Sequence, residues 1–265
     1  MEKIKLNFQK TFEVHSYEAF YNRQLKPAKL FEYLNDTAEH HSESVGFSME
    51  NLFFKGCSWI LLSWNICIEK WPSLRDVILI ETWISHIKRC FAFREFLVKN
   101  SQNEILIRAS SRWIFYHIGK KRAERIPEKL VNQWPTNRSV ACPESIIDSA
   151  NLKTQGSQKI ENSFIVQKQD IDILDHVHNT RYIDWIMQNK PEEIRQNYSL
   201  KHIDVSYRHE IKFPNDVLIK QSISSSLKNL EEIVYICDEI MTPDKPELAS
   251  LIVSKWELPH NPYFL

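Results

Sequence analysis

Two stretches of this chain space their apolar residues as helices do, and most other patterned segments have the composition of strands. From Pro27 to Ser44, Leu30, Phe31, Leu34 and Ala38 recur at intervals of three and four, which puts them on one helical face. Pro27 suits the first turn, where its missing N–H is no loss, and Gly46 stops the helix. A second, shorter helix runs over Asn179–Gln188, with Tyr182, Ile183, Trp185 and Ile186 as its stripe. Asn179 or His178 caps it, and Pro191 follows it. The segments 58–69, 77–87, 91–98 and 105–118 are rich in β-branched and aromatic residues and bounded by turn formers, as strands are. So are 163–168, 201–210, 216–224, 231–239 and 249–258. Short links between consecutive strands favour antiparallel pairing. A helix followed by such strands is an α+β arrangement, with an antiparallel sheet curled round the helix to bury its stripe.

The pattern occurs twice. Aligning Phe12 with Phe164 brings Val14 onto Val166, Glu18 onto Asp170, Leu25 onto Val177 and Phe31 onto Ile183 without a gap. Further on, Asp76-Val77-Ile78-Leu79-Ile80 resembles Asp216-Val217-Leu218-Ile219-Lys220, and the strand ending at Trp113 resembles the one ending at Trp256. Ordered matches at three places indicate a duplicated fold unit rather than a solenoid. The expected organisation is an N-terminal unit over 1–125, a linker over 126–158 that is poor in strand pattern, and a C-terminal unit over 159–265.

Composition narrows the function classes. Lys+Arg 34 and Asp+Glu 34 cancel, so no global field selects nucleic acid or a membrane. Only four glycines are present, with no GxGxxG and no GxxxxGK[ST], which argues against a phosphate-cradling loop. The five cysteines (Cys57, Cys67, Cys90, Cys142 and Cys237) are scattered with no CxxC. That pattern predicts reduced, mostly buried thiols in a cytoplasmic protein and no zinc site. No run approaches the roughly 20 apolar residues of a membrane span, and the first residues lack the character of a secretory or transit leader.

The richest segment chemically is Asp170-Ile171-Asp172-Ile173-Leu174-Asp175-His176-Val177-His178-Asn179-Thr180-Arg181-Tyr182, leading into the second helix. Asp172 and His176 lie four residues apart just before a helix start, so carboxylate and imidazole can converge on one small volume. A carboxylate serves as base or nucleophile, and the N–H groups of a helix start stabilise developing negative charge. The plain alternative is that Asp172 only turns the chain before the helix. The counterparts in the first repeat are Phe20 and Gln24, so only the second repeat has a reactive site. Glu210, at the end of a predicted strand in Tyr207-Arg208-His209-Glu210, is the third candidate; its plain alternative is a solvated charge paired with Arg208.

The run resembles the Asp-x-Asp-x-Asn-x-His-Val-Asn-Asn signature of the acyl-acyl carrier protein (acyl-ACP) thioesterases, bacterial type and similar to the plant enzymes. His15-Ser16-Tyr17-Glu18, Asp36-Thr37-Ala38 with His41, and Gly46-Phe47 resemble that family's N-terminal block. The resemblance implies a double hot-dog fold and hydrolysis of a fatty acyl-ACP thioester in fatty acid synthesis, without metal or organic cofactor. It implies Asp172, His176 and Glu210 as catalytic residues, and Asn179, Trp59 and Leu61 as substrate-binding residues. Of the run Trp59 to Trp64, the side chains that point toward the helix would line an acyl pocket in the N-terminal unit; ordinary core packing is the alternative. The implied partner, acyl carrier protein, is acidic, so Lys88-Arg89 with Arg94, and Lys120-Lys121-Arg122 with Arg125, are candidate docking patches. A homodimer stays open.

Two positions depart from the family pattern. Leu174 stands where the family has asparagine and cannot make that residue's hydrogen bonds, and Ile211 stands where many members carry cysteine. The competing readings are an acyl-CoA thioesterase on the same scaffold and a non-catalytic acyl or acyl-ACP binding protein.

Overall fold

The structure, a computed structural model, describes residues 7–134, 136, 139–148, 158–224 and 231–259. The chain divides into two units, residues 1–143 and 144–265. The first runs β1 (Phe8–Glu13), α1 (Pro27–Ser44), α2 (Met49–Phe54), β2 (Cys57–Ile68), β3 (Val77–Lys88), β4 (Phe91–Lys99), β5 (Ile105–His117), β6 (Arg122–Ala123) and α3 (Glu128–Gln133). Its strands pair antiparallel in the order β1-β3-β4-β5-β2, with β6 against β5. The predicted stripe of α1 packs on this sheet. Leu30, Phe31 and Leu34 are almost wholly buried, each contributing about 1.5–3 kcal/mol. Phe31 meets Trp64 of β2 edge-on at 5.8 Å, and Tyr33 stacks on Phe12 of β1 at 4.4 Å. A bulge between Leu61 and Ser63 shifts the register of β2, so that Leu61 before it and Trp64, Ile66 and Ile68 beyond it are all buried.

The second unit runs β7 (Gln158–Ile165), α4 (Asn179–Gln188), α5 (Glu192–Asn197), β8 (Ser199–Tyr207), β9 (Asp216–Ile223), β10 (Ile233–Thr242) and β11 (Lys245–Glu257). Its antiparallel order is β8-β11-β10-β9-β7. Ile183 and Ile186 of α4 are fully buried. Beyond α4, Lys190 forms an ion pair with Asp238 of β10 in which both side chains are inaccessible, and Gln221 Nε2 donates to the same carboxylate at 2.7 Å. Burial pulls the Lys190 ammonium pKa down, and Asp238 opposes that pull.

The duplication holds at the level of single hydrogen bonds. Glu18 accepts from His15 N–H at 2.9 Å as Asp170 accepts from Gln167 N–H at 2.8 Å. Lys26 N–H donates to Glu18 O as His178 N–H donates to Asp170 O. Val14 N–H meets Asp76 O as Val166 N–H meets Asn215 O.

Both long helices have their predicted bounds, and most strand ends differ by one to a few residues. The stretch expected as linker is partly built into the first unit. Leu130 and Trp134, on and just after α3, enter a buried cluster with Phe47, Ala92 and Phe115. The strap that follows is bonded to the sheet: Trp83 Nε1 donates to Ser139 O at 2.9 Å, and Ala141 N–H donates to the buried Glu95 carboxylate at 3.0 Å. Residues 135, 137, 138 and 149–157 of that stretch lie outside the described residues. The expectation of reduced thiols is corrected at two positions. Cys67 of β2 and Cys142 of the strap form a disulfide, because the docked strap brings their Cα atoms to 6.3 Å. Cys57, Cys90 and Cys237 are free. No helix among the described residues is long and apolar enough to cross a membrane.

One buried polar group titrates far from its usual range. Burial, and then the adjacent Arg94, push the His41 imidazole down to about 3. The fold therefore refuses a proton that the unfolded chain takes up below about pH 6.5. Between about pH 6.5 and 3 the unfolded state binds more protons, so stability falls as pH falls. Urea unfolding of wild type should lose about 2 kcal/mol between pH 7 and pH 5 beyond the loss shown by His41→Gln. Equal acid losses in the two proteins would remove His41 as the source.

Candidate active site

The run 171–177 folds as a tight hairpin. Asp172 N–H donates to His176 O at 2.8 Å, Asp175 N–H donates to Asp172 O at 3.1 Å, and Ile171 bridges Val177. Asp175 sits at φ 65°, the left-handed conformation that closes a three-residue loop of this kind. The Asp172 carboxylate lies over its own loop. Its Oδ1 accepts from Leu174 N–H at 2.8 Å and from His176 N–H at 3.3 Å. This local bonding is typical of aspartate in turns, and it makes Asp172 the residue that shapes the hairpin.

The His176 ring turns to a different partner. Val177 N–H donates to Ile211 O at 2.8 Å, which stitches the hairpin to the loop after β8. Glu210 thereby comes beside His176, with Nε2 3.0 Å from Oε2. The histidine is mostly covered, and about half of the Glu210 side chain is open to solvent. The predicted strand over 201–210 ends three residues early, at Tyr207, because Arg208 N–H and His209 N–H both go to Ala249 O and the chain leaves the ladder there. Glu210 is therefore a loop residue, and it pairs with His176 rather than Arg208.

Helix α4 starts directly after the hairpin. His178 caps it, its Nδ1 accepting from Thr180 N–H at 3.4 Å and lying 2.8 Å from Thr180 Oγ1. Asn179 is the first helical residue, and its carbonyl accepts from the Tyr207 hydroxyl at 3.0 Å. Tyr182, one turn on, is buried edge-on against Tyr207 at 5.5 Å. Burial raises its phenol pKa well above the ordinary value. A hydrogen bond with the Ile211 backbone opposes that rise, and the nearby Glu210 and Asp172 carboxylates add to it. Tyr182 thus braces the loop that presents Glu210. Sequence periodicity read it only as an apolar stripe residue, although a tyrosine on an inward face carries a hydroxyl that must find a partner.

The structure thus joins His176 to Glu210 and holds Asp172 across the hairpin from His176. Trp59 and Leu61 lie in the first unit. Leu61 is buried, and Trp59 is half-buried and packs against Phe115 at 5.1 Å and Trp134 at 5.7 Å. Both sit in core packing in this structure. Of the candidate docking cations, Arg94 is 3% exposed and belongs to the core, not to a surface patch. Lys120 and Arg122 share Glu124, at 2.6 Å and 3.7 Å.

Comparisons with known proteins agree with this architecture. The model of the acyl-ACP thioesterase N-terminal domain matches residues 5–134, and that of the C-terminal domain matches residues 153–257. The chain is 26% identical over 215 residues to a chloroplastic palmitoyl-acyl carrier protein thioesterase of Arabidopsis thaliana, covering 77% of this chain and 52% of the relative. It is 23% identical over 247 residues to a chloroplastic dodecanoyl-[acyl-carrier-protein] hydrolase of Cinnamomum camphora, covering 89% and 64%. The chain therefore spans between about half and two thirds of the length of these curated relatives. Among solved structures, a 12:0-ACP thioesterase from Umbellularia californica superposes with TM-score 0.81 at 19% identity, over 96% of this chain and 95% of that one. An acyl-ACP thioesterase from Bacteroides thetaiotaomicron gives 0.77 at 18% identity, over 95% and 98%. These likenesses establish the fold as the double hot-dog, and with both domain models matched in order, the chain belongs to the acyl-ACP thioesterase family.

Proposed function

We propose that the protein hydrolyses the thioester of a fatty acyl chain carried on acyl carrier protein and releases the free fatty acid. The observation that carries this reading is the His176–Glu210 pair, set by the Asp172 hairpin directly ahead of the start of α4. In this scheme Glu210 and His176 take a proton from water as its oxygen attacks the thioester carbonyl carbon. The backbone N–H groups at the start of α4 stabilise the oxyanion. The C–S bond then breaks, and the protonated imidazole returns the proton to the leaving thiolate. Asp172 keeps the hairpin, and with it the imidazole, in place. Asn179, Trp59 and Leu61 remain proposed substrate contacts. Removing water from one methylene is worth about 0.8 kcal/mol, so a pocket in the first unit could select chain length.

The test is steady-state hydrolysis of a length series of acyl-ACPs, with matched acyl-CoAs in parallel. Faster turnover of acyl-ACP that weakens with added salt supports an acidic carrier as the partner. Equal turnover of both would favour the acyl-CoA reading.

Leu174 motivates the non-catalytic alternative. The first unit forms the same hairpin: Phe20 N–H donates to Gln24 O, and Arg23 stands at φ 71°. There Asn22 holds the position of Leu174, and its side chain accepts from Gln24 N–H at 3.2 Å. An asparagine therefore fits this place. Leu174→Asn places an amide where the family resemblance expects one and is expected to raise turnover by roughly tenfold. Its cost in melting temperature should be modest. No turnover in either protein, despite measured acyl-ACP binding, would establish the binding-protein reading instead.

A further inference from the structure

Among the described residues, the core of the first unit holds a cation with no carboxylate paired to it. Arg94 occupies an inward position of β4, in line with the buried Ala92, Phe96 and Val98. The side chains it bonds are uncharged. Its guanidinium donates to His41 Nδ1 at 2.7 Å, Ser42 Oγ at 3.3 Å and Thr82 Oγ1 at 3.4 Å, and lies 5.5 Å from the centre of the Trp134 ring. No ion pair to Arg94 exists among the described residues. A buried charge is costly unless it is paired, so this arrangement lacks its complement.

The neighbours have the same need. His41 accepts at Nδ1, which places its own proton on Nε2. The indole N–H groups of Trp134 and Trp59 are buried without a partner, and the two rings lie 5.7 Å apart. The two indole N–H groups can only donate, and beside an uncompensated positive charge they call for an anionic acceptor. Trp134 also belongs to the apolar cluster of Phe47, Ala92, Phe115 and Leu130, which disfavours a hydrated inorganic ion and favours a charge borne on hydrocarbon.

We propose that Arg94, His41 and the Trp134 indole form a buried receptor in the first unit for a carboxylate carried on a hydrocarbon chain. This deepens the reading of the first unit as the part that holds the acyl chain, and it rests on that reading. The same chemistry has two sources: the head group of a released fatty acid, and the far end of an acyl chain that ends in a second carboxylate.

Binding separates this idea from catalysis, because it needs no turnover. The full chain is titrated with laurate, 1-dodecanol, sodium formate and an ω-carboxylauroyl-CoA, reading tryptophan fluorescence and the melting temperature. The expected result is that laurate or the ω-carboxyacyl thioester binds at least about tenfold more tightly than dodecanol, and that Arg94→Met abolishes the difference. The preference between laurate and the ω-carboxyacyl thioester identifies the source. Arg94→Gln keeps donors toward His41 and Thr82 without the charge, so the comparison stands if the methionine variant does not fold. Equal binding of laurate and dodecanol, formate matching laurate, or laurate binding unchanged in either folded variant would overturn the proposal. Laurate binding and its dependence on Arg94 need no turnover, so a failed hydrolysis assay leaves the receptor intact.

Discussion

His176→Ala and Glu210→Gln should each lower acyl-ACP turnover by about 10²- to 10⁴-fold, the range for losing a positioned acid-base group. The unfolding curve of Glu210→Gln should be unaltered, because that side chain is half open to solvent and such a pair adds little stability. Asp172 separates structure from chemistry more sharply. Its Oδ1 accepts two backbone N–H bonds, and asparagine retains that acceptor. Asp172→Asn should therefore keep the hairpin and the melting temperature. A loss of about tenfold or more in Asp172→Asn would mean that the negative charge, not the turn, is what catalysis needs. Wild-type turnover in Asp172→Asn, with loss in Asp172→Ala, would make Asp172 a positioning residue. The readout is kcat and KM with thermal unfolding on the same preparations.

Asp238→Ala should destabilise the protein by about 3–5 kcal/mol, because it strands the Lys190 ammonium where no water reaches it. Gln221 would also lose the carboxylate oxygen that accepts its amide at 2.7 Å. For a chain of this size the loss corresponds to a fall of roughly 10 °C in Tm. The double variant Lys190→Met with Asp238→Leu removes both charges and should recover most of that stability, since a buried pair is often no better than apolar packing of similar volume. Urea unfolding of the three proteins decides the matter. A single variant within about 1 kcal/mol of wild type would show that water reaches the pair.

Local sequence determined a large part of this protein. The spacing of Leu30, Phe31 and Leu34, with Pro27 ahead of them, was enough for α1, and Tyr182, Ile183 and Ile186 were enough for α4. These signals act within one or two turns, so distant residues have little say in them. The duplication was legible because paired positions such as Glu18 and Asp170 serve the same local turn in each unit. Asp172 and His176 were legible as neighbours for the same reason, being four residues apart in one hairpin.

The tertiary structure decided what local spacing cannot encode. Which partner the His176 ring meets depends on Val177 bonding to Ile211 far along the chain, and that bond selects Glu210. Arg94 reads as a surface cation by residue type, but the pleat of β4 sends it inward, under the end of α1. Cys67 and Cys142 meet only because the strap after α3 docks on the sheet through Glu95 and Trp83. Lys190 and Asp238 become a buried pair only once α4 and β10 are packed. Each of these contacts joins residues distant in the chain, so strand register and packing, not residue type or local periodicity, determined which charges and thiols came together.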